Sequence, residues 1–303
     1  MVHINFLLGA LSLTAILGVL AAPNATDKKP TAFPIGTLSP EELQITNQKN
    51  AKSRAKDPIE VIYTKSDLAG FPTISSPGSG IPANTTTTAN EEDELSRRWI
   101  YPPDDRELWP HTYYPWSAPG RFTRGGGFCS GVLFRPCWFA PSYYDGERLG
   151  GSDVTAFIRL ASPPPSAADG WTVCSQLEDW AIAILRDPIG DSNGWFQSRT
   201  FNCPAERNHG KLYHIGYPGD LGGQRPYRLQ AIAAVNCDSC NQYGPLLTYA
   251  DVMGGQSGGP LWALEDGGVR NVVGTLSLMG EYSSFAGGDY MVQAINRARA
   301  DFP

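Results

Sequence analysis

Residues 254–260 read GGQSGGP, and this stretch decides how the chain is interpreted. It sets Ser257 between pairs of glycines, which is typical of a turn that presents a nucleophilic hydroxyl beside backbone amides able to receive an oxyanion. A serine hydroxyl is a poor nucleophile at neutral pH and needs a neighbouring base, normally a histidine. An isolated match also fits a glycine-rich hairpin turn, so the surrounding segments must decide between the two interpretations.

Four other segments accompany this turn in a fixed order along the chain. CSGVL comes first, EDWAIAIL next, then YHIGYPGD, and VVGTLS follows the serine. Together with GGQSGGP they resemble the trypsin-like serine peptidases, most closely the secreted glutamyl-endopeptidase-like branch of bacteria and fungi. The resemblance covers residues 99–303 and implies an all-β fold of two antiparallel six-stranded β-barrels, with the active site in the cleft between them.

The remainder of residues 99–303 agrees with an all-β fold. Short apolar runs such as GFCSGVLF, KLYHIGY and RNVVGTLSL are separated by clusters of Gly, Pro, Asn and Asp, which predicts strands joined by tight turns. The last residues differ, because YMVQAINRARADF places Met291, Ala294, Ile295 and Ala298 at helical spacing. We therefore expect a C-terminal helix.

The resemblance assigns roles to five positions. Ser257 matches the nucleophile, and the amides of Gly255 and Ser257 match the oxyanion hole. Asp179 matches the acid that orients the histidine, although it could also be a capping or surface carboxylate. Ser277 matches the strand that pairs with the substrate backbone, and Asp251 stands where trypsin keeps its specificity acid. The resemblance implies no cofactor and no metal.

Two positions depart from the pattern of the family. Gln256 precedes the nucleophile where trypsin has an aspartate, so the buried ion pair that trypsin makes with its new amino terminus cannot form. The glutamyl-endopeptidase branch also lacks that aspartate. Leu276 stands where glutamate-specific relatives carry a substrate-reading histidine, which argues against glutamate specificity. The acid at Asp251 gives some support to a preference for basic side chains.

The general base is the largest departure. Counting without gaps from the CSG cysteine to the family's histidine lands on Tyr144, and no histidine occurs between Cys129 and Asp179. Tyrosine is a poor substitute, because with a pKa of about 10 it is protonated at neutral pH. In a second alignment Cys137 is the cysteine of the family's His-Cys pair, and a strand and a turn are deleted directly before it.

The four histidines of the chain do not fill this position. His3 belongs to the leader, and His111 precedes the CSG strand. His209 and His214 fall in the early strands of the second barrel, where we expect them to have structural roles.

These observations leave three functional hypotheses. The leading one is a pseudo-peptidase, inactive or strongly impaired in catalysis, that still binds peptides or proteins in the cleft. The alternative is an active secreted serine endopeptidase whose histidine-bearing segment is missing from the sequence as written. A third hypothesis is a lectin-like or structural β protein, but such a function gives no reason for the presence of Ser257, Asp179 and the paired glycines.

The first 98 residues have a different character from the rest. Residues 1–21 join a short polar start to an apolar run and a small-residue cleavage site, which predicts a signal peptide rather than a membrane anchor. Residues 22–98 contain no cysteine or tryptophan and include a Pro/Gly/Ser/Thr tract, which predicts a disordered prosegment. Cleavage after Arg98, in a dibasic pair, would leave a peptidase domain of residues 99–303. Glycosylation sequons begin at Asn24 and Asn84.

Secretion makes the six cysteines candidates for three disulfides. Cys237 and Cys240 are close in sequence, and we expect them to be bonded to each other in a local loop. The net charge of −6 gives no electrostatic case for nucleic acid or anionic membrane. We therefore expect a secreted, extracellular monomer without cofactor or metal, whose partner is a peptide or protein in the cleft.

Overall fold

The computed structural model describes residues 8–9, 58–74, 104–124, 127–130, 138–161, 173–237, 240, 244–280 and 282–303. The strands in this part of the chain are β1 (Leu8–Gly9), β2 (Ile59–Tyr63), β3 (Glu107–Leu108), β4 (Gly120–Arg124), β5 (Gly127–Cys129), β6 (Trp138–Pro141), β7 (Ser152–Leu160), β8 (Ala181–Leu185), β9 (Gln197–Ser198), β10 (Leu212–Gly216), β11 (Tyr227–Ile232), β12 (Ala234–Cys237), β13 (Leu246–Thr248), β14 (Pro260–Leu264), β15 (Arg270–Leu278) and β16 (Ser283–Gly287). The helices are α1 (Lys65–Leu68), α2 (Val173–Gln176), α3 (Gly190–Asn193), α4 (Cys203–Glu206) and α5 (Asp289–Asp301), with 3₁₀ turns at Gly219–Leu221 and Asp266–Gly268. The sequence-predicted positions that lie outside the described residues are Asn24, Asn84, Arg98 and Cys137.

The strands form two curled half-barrel sheets. In the first sheet the order is β1-β8-β7-β6-β4-β5, and β2 pairs in parallel with β7. In the second sheet the order is β12-β13-β16-β15-β14-β10-β11-β3, and β9 pairs in parallel with β15. Every other described pairing is antiparallel. The predicted all-β class is confirmed, with short additional strands that raise the sheets to seven and nine strands.

Strand β8 has the uninterrupted apolar sequence AIAIL because both of its faces are covered. All of its residues are buried. Ala181, Ala183 and Leu185 pack in the interior of the first sheet, whereas Ile182 and Ile184 belong to a second cluster that includes α5. A strand covered on both faces carries apolar residues at every position rather than at alternate positions.

The C-terminal helix is confirmed as α5. Met291, Ala294, Ile295 and Ala298, whose spacing predicted it, are all fully buried. They form one face of the helix and pack into the cluster that also contains Ile182 of β8. Among the described helices, α5 included, none has the length and apolar character needed to cross a lipid bilayer.

Part of the predicted prosegment is ordered, which corrects the prediction of disorder for residues 58–74. Strand β2 pairs with β7 from Ile59 opposite Ala156 to Tyr63 opposite Leu160, and α1 follows directly. Tyr63 is 4% exposed and Leu68 is 0% exposed. The composition of this segment predicted disorder because it cannot form a core of its own. It is ordered because it packs against the core formed by the rest of the described chain.

The predicted Cys237–Cys240 bond is wrong. Cys237 is bonded to Cys203 with a Cα–Cα distance of 6.0 Å, and Cys240 is bonded to Cys174 at 5.3 Å. Cys237 ends β12, and pairing with β13 fixes that strand beside α4, where Cys203 lies. A bond across the two residues between Cys237 and Cys240 would need a tight turn immediately after the strand. Long-range contacts, not proximity in sequence, therefore select the partners.

Peptide mapping without reduction tests these bonds. We expect one linked pair that contains Cys174 and Cys240 and another that contains Cys203 and Cys237, because both sets of Cα atoms lie at ordinary disulfide separations. The digest uses a protease that cleaves before aspartate, because a cut at Asp238 is needed to separate Cys237 from Cys240. The matched control is the same digest after reduction, in which all four cysteine peptides should appear separately. A peptide with Cys237 bonded to Cys240 would contradict the structure.

Candidate active site

The nucleophile turn joins β13 to β14 and is held against β15. The Gly258 N–H donates to the Leu276 carbonyl at 2.8 Å, and the Leu276 N–H donates to the Gly259 carbonyl at 3.0 Å. These two bonds fix the residues after Ser257 to one position on β15. Ser257 itself is half-buried, so its hydroxyl lies at the edge of the turn rather than in the core.

The backbone at Gly255 can only be formed by glycine. Its φ is +98°, and a Cβ atom there would lie 2.5 Å from the Tyr217 carbonyl oxygen. Within the described part of the chain, the N–H groups of Gly255 and Ser257 donate to no protein acceptor. Both amides can therefore donate to a ligand oxygen, which is what an oxyanion hole requires.

Ser130, from the CSG segment, fixes the carbonyl of Gly255. Its N–H and its Oγ both donate to that oxygen at 2.9 Å, and its Oγ accepts from the Tyr217 N–H at 2.8 Å. The side chain is buried, so these bonds are shielded from water. Sequence reasoning missed this role, although the serine of the quoted CSG segment was the available signal.

Gln256 lies fully buried beneath the turn, where trypsin has its aspartate. Its Oε1 accepts from the Met253 N–H at 2.9 Å, which leaves Nε2 as a donor. That Nε2 lies 3.3 Å from Nε2 of His214, whose Nδ1 lies 3.0 Å from the Pro260 carbonyl oxygen. Because a carbonyl can only accept, Nδ1 of His214 carries the proton and Nε2 accepts from Gln256.

His214 is therefore a neutral structural residue, in agreement with the role predicted for it. Burial removes the ring from water and lowers its pKa to about 4. Both ring nitrogens are already bonded, so the ring has no position left to accept a proton from Ser257. His111 and His209 are exposed.

Asp179 stands directly before β8 and is 4% exposed. Its Oδ2 accepts from Oγ of Ser277 at 2.6 Å. Its Oδ1 has no hydrogen-bond partner among the described residues. Burial disfavours the charged form and raises the pKa of this carboxyl to about 6, against the opposing effect of the Ser277 bond. Sequence reasoning placed Ser277 on the substrate strand but missed its bond to the acid.

Ser277 brings the acid and the nucleophile turn into one place. It follows Leu276 in β15, and Leu276 makes both backbone bonds to the turn. The residue that bonds Asp179 is therefore the neighbour in β15 of the residue that holds the turn of Ser257. The Cys174–Cys240 disulfide ties the segment before Asp179 to the second sheet as well.

Comparison with known proteins identifies the fold. No protein-family model and no curated protein matches the sequence. Among solved structures, a Glu endopeptidase in complex with MPD aligns over 66% of this chain and 99% of its own, at 18% identity and a TM-score of 0.51. This is the chymotrypsin-like fold.

Two further solved structures are similar to the chain at lower TM-scores. The protease Anisep from Arthrobacter nicotinovorans aligns over 64% of this chain and 99% of its own, at 18% identity and a TM-score of 0.43. Human heparin binding protein aligns over 66% and 97%, at 14% identity and a TM-score of 0.47. At these identities the similarity establishes the chymotrypsin-like fold alone.

Asp251, which the sequence predicts to be at the specificity position, is half-buried in an acidic group. Its Oδ2 accepts from the Asp105 N–H at 3.2 Å, and the carboxylates of Asp104, Asp105 and Asp251 lie within 4.8 Å of one another. These are the described acids that could approach a cation, although exposed acids commonly gather without one. Leu276, which the sequence comparison sets at the position of the substrate-reading histidine, has a buried, apolar side chain.

The ring of Tyr144 contacts two arginines. Its ring lies under Arg148, with 4.8 Å from the guanidinium carbon to the ring centroid, and under Arg225 at 5.3 Å. Its N–H donates to the Gly146 carbonyl at 3.0 Å. None of its described contacts is with Ser257, so the structure gives no support to the ungapped alignment.

Replacing Ser130 by alanine should lower the free energy of unfolding by about 1–3 kcal/mol, because the buried Tyr217 N–H would lose its acceptor. Chemical denaturation measures the change. The control is Ser192→Ala, since Ser192 is exposed and makes one bond to the Ile189 carbonyl; we expect a change within about 0.5 kcal/mol. Equal effects of the two variants would show that the Ser130 bonds do not hold the turn.

The raised pKa of Asp179 predicts a pH dependence of stability. The folded protein binds this proton more tightly than the unfolded chain, so the free energy of unfolding should fall as pH rises from about 4 to about 6. Asp179→Asn keeps an acceptor for Ser277 and removes the buried charge. We expect it to raise stability at pH 7 by about 1–3 kcal/mol and to flatten that part of the curve.

Denaturant unfolding at a series of pH values measures the effect of Asp179→Asn. Asp266→Asn, at an exposed carboxylate in a 3₁₀ turn, is the control and should leave the curve unchanged. A loss of stability at pH 7 in Asp179→Asn would show that the carboxylate has a charged partner in the folded protein.

Proposed function

We propose that the protein is a secreted homologue of the trypsin-like serine peptidases that binds peptides or proteins in the cleft and hydrolyses them feebly. The observation that carries this proposal is the hydrogen bonding of the Asp179 carboxyl group. One of its oxygens is bonded to Ser277 as in an orienting acid, whereas Oδ1 has no partner in the described residues. An imidazole would normally donate to such an oxygen and accept from the serine.

The chemistry of proton transfer explains why hydrolysis would be feeble. Attack by Ser257 requires that its hydroxyl proton be removed, and a carboxylate cannot span the distance that an imidazole normally fills. Loss of a triad histidine lowers kcat on the order of 10⁶-fold. An oxyanion hole and substrate binding alone retain about 10³–10⁴-fold over water. The residual activity would come from the amides of Gly255 and Ser257.

Peptide binding relies on parts that do not include the missing base. The two amides can receive a carbonyl oxygen, and β15 carries the strand segment VVGTLS that matches the substrate-pairing strand of the family. The acidic group around Asp251 and the apolar side chain of Leu276 support a basic rather than an acidic side chain in the specificity position.

An active serine endopeptidase remains the second candidate function, and one observation favours it. Asp179 has the buried position and the serine bond that the acid of an active triad would have. Residues 130–137 connect β5 to β6, which pair with opposite sides of β4. This connection is short for a further strand and a histidine turn, so such a segment would have to be missing from the sequence. Reading the transcript across codons 134–138 separates the two candidates.

Secretion and a monomeric state are part of the proposal. The apolar leader supports export, and the two disulfides are bonds that persist in oxidising compartments. Removal of residues 1–21, followed by cleavage at Arg98, would give a chain that begins at Trp99. No charge pattern of the sequence supports a nucleic-acid or membrane partner.

Fluorophosphonate labelling and peptide-aldehyde binding test the proposed function on the secreted protein. We expect labelling of Ser257 to be slower than in an active serine peptidase by several orders of magnitude, because no base removes its proton. We also expect aldehydes of short peptides with a basic terminal residue to bind, since the amides and β15 do not need the histidine. The matched control is Ser257→Ala, which should lose labelling entirely.

Rapid labelling of the unmodified protein that disappears in Ser257→Ala would refute the pseudo-peptidase. Failure of every peptide ligand to bind would refute the peptide-binding cleft. Tyr144→His gives a further control, because Tyr144 lies under Arg148 and Arg225 and a histidine there should restore no labelling.

A further inference from the structure

Residues 58–74 belong to the segment that the sequence predicts to be removed, yet they are built into the folded body. We propose that this segment stays bound non-covalently after the chain is cut near Arg98, so that the mature protein consists of two chains. The inference goes beyond the proposed function, because it holds whether or not Ser257 is catalytically competent.

Backbone pairing supplies the first part of the attachment. One edge of β7 pairs with β8, and the other edge pairs with β6 at residues 152–153 and with β2 at residues 156–160. The Ala161 N–H continues this contact by donating to the Tyr63 carbonyl at 2.8 Å. Without the segment, this stretch of β7 would present unpaired N–H and C=O groups at an open sheet edge.

Two buried side chains supply the second part. Tyr63 and Leu68 belong to the same apolar cluster as Ile158 of β7 and Ile295 of α5. A capping box at Thr64 fixes the short helix α1 that presents Leu68 to this cluster. Loss of the segment would expose apolar residues of α5 that are fully buried in the structure.

Polar contacts with α5 fix the register of the segment. The Tyr63 hydroxyl donates to Oδ2 of Asp301 at 2.6 Å, and Nδ2 of Asn296 donates to the Pro72 carbonyl at 2.7 Å. Tyr63 ends β2 and Pro72 follows α1, so the two bonds hold the segment at two separate points. The surface pair of Lys65 with Glu178, at 2.7 Å, adds little by itself because the lysine is exposed.

These contacts connect the segment to β7 and to α5, two elements that build the core of the peptidase domain. A removable prosegment would be expected to contact the cleft or to lie on a polar surface. Here the segment covers an apolar surface and completes a sheet edge instead. The geometry therefore assigns it as a structural second chain.

The test uses the full-length secreted chain with a recognition sequence for a site-specific protease inserted between Asn90 and Glu91. The purified protein is cut to completion, as shown on a denaturing gel, and then passed over a gel-filtration column at micromolar concentration without denaturant. We expect the amino-terminal fragment to elute with the body and to separate from it only in denaturant. Mass spectrometry of the peak identifies both chains, including any chain already cut at Arg98.

Matched variants show whether retention depends on the described contacts. Leu68→Ala should weaken binding of the cut fragment on the order of 10²-fold, whereas Ile62→Ala should change it less than about twofold, since Ile62 is 47% exposed. Because Leu68→Ala also weakens folding of the intact chain, Asn296→Ala gives a milder variant on the surface of α5. It should weaken binding by up to about tenfold.

Elution of the wild-type body without its fragment would overturn the proposal and leave a removable prosegment. Equal retention of the fragment in Leu68→Ala and Ile62→Ala would overturn it as well, because binding would then not depend on the buried anchor.

Discussion

The hydrogen bond from Oγ of Ser277 to Oδ2 of Asp179 is the interaction on which the site depends, because it joins the two sheets. Asp179 lies two residues before β8 of the first sheet, and Ser277 lies in β15 of the second. A buried carboxylate is unfavourable unless it is hydrogen-bonded, so both sheets must keep one relative position to satisfy it even in part. The disulfide from α2 to Cys240 crosses the same junction and restricts its movement.

The nucleophile turn depends on neutral hydrogen bonds rather than on an ion pair. Gln256 and His214 bond to each other beneath the turn, and Met253 and Pro260 hold the outer ends of this network. A buried aspartate at this place would require a positive partner, whereas the neutral glutamine requires none, and the His214 ring bonded to it is neutral as well.

The sequence predicted what local pattern determines and missed what distant contacts determine. The spacing of apolar residues predicted α5, and the run AIAIL with Asp179 before it predicted a buried strand that begins at an acid. Partners far apart in sequence carried no local signal, which explains the error at Cys237 and the missed bonds of Ser130. Disorder was predicted for residues 58–74 from their composition, which says nothing about an apolar surface elsewhere in the chain.

Two separate parts of the chain fix the nucleophile turn. Ser130, the first residue of the connection between β5 and β6, holds the carbonyl of Gly255. Leu276 of β15 holds the residues after Ser257, and the buried Gln256 supports the turn from beneath. Asp179 is different, because its Oδ1 has no hydrogen-bond partner among the described residues. A donor at that oxygen would lower the free-energy cost of the buried carboxylate, so Asp179 is the group of the site whose energy is most sensitive to a further neighbour.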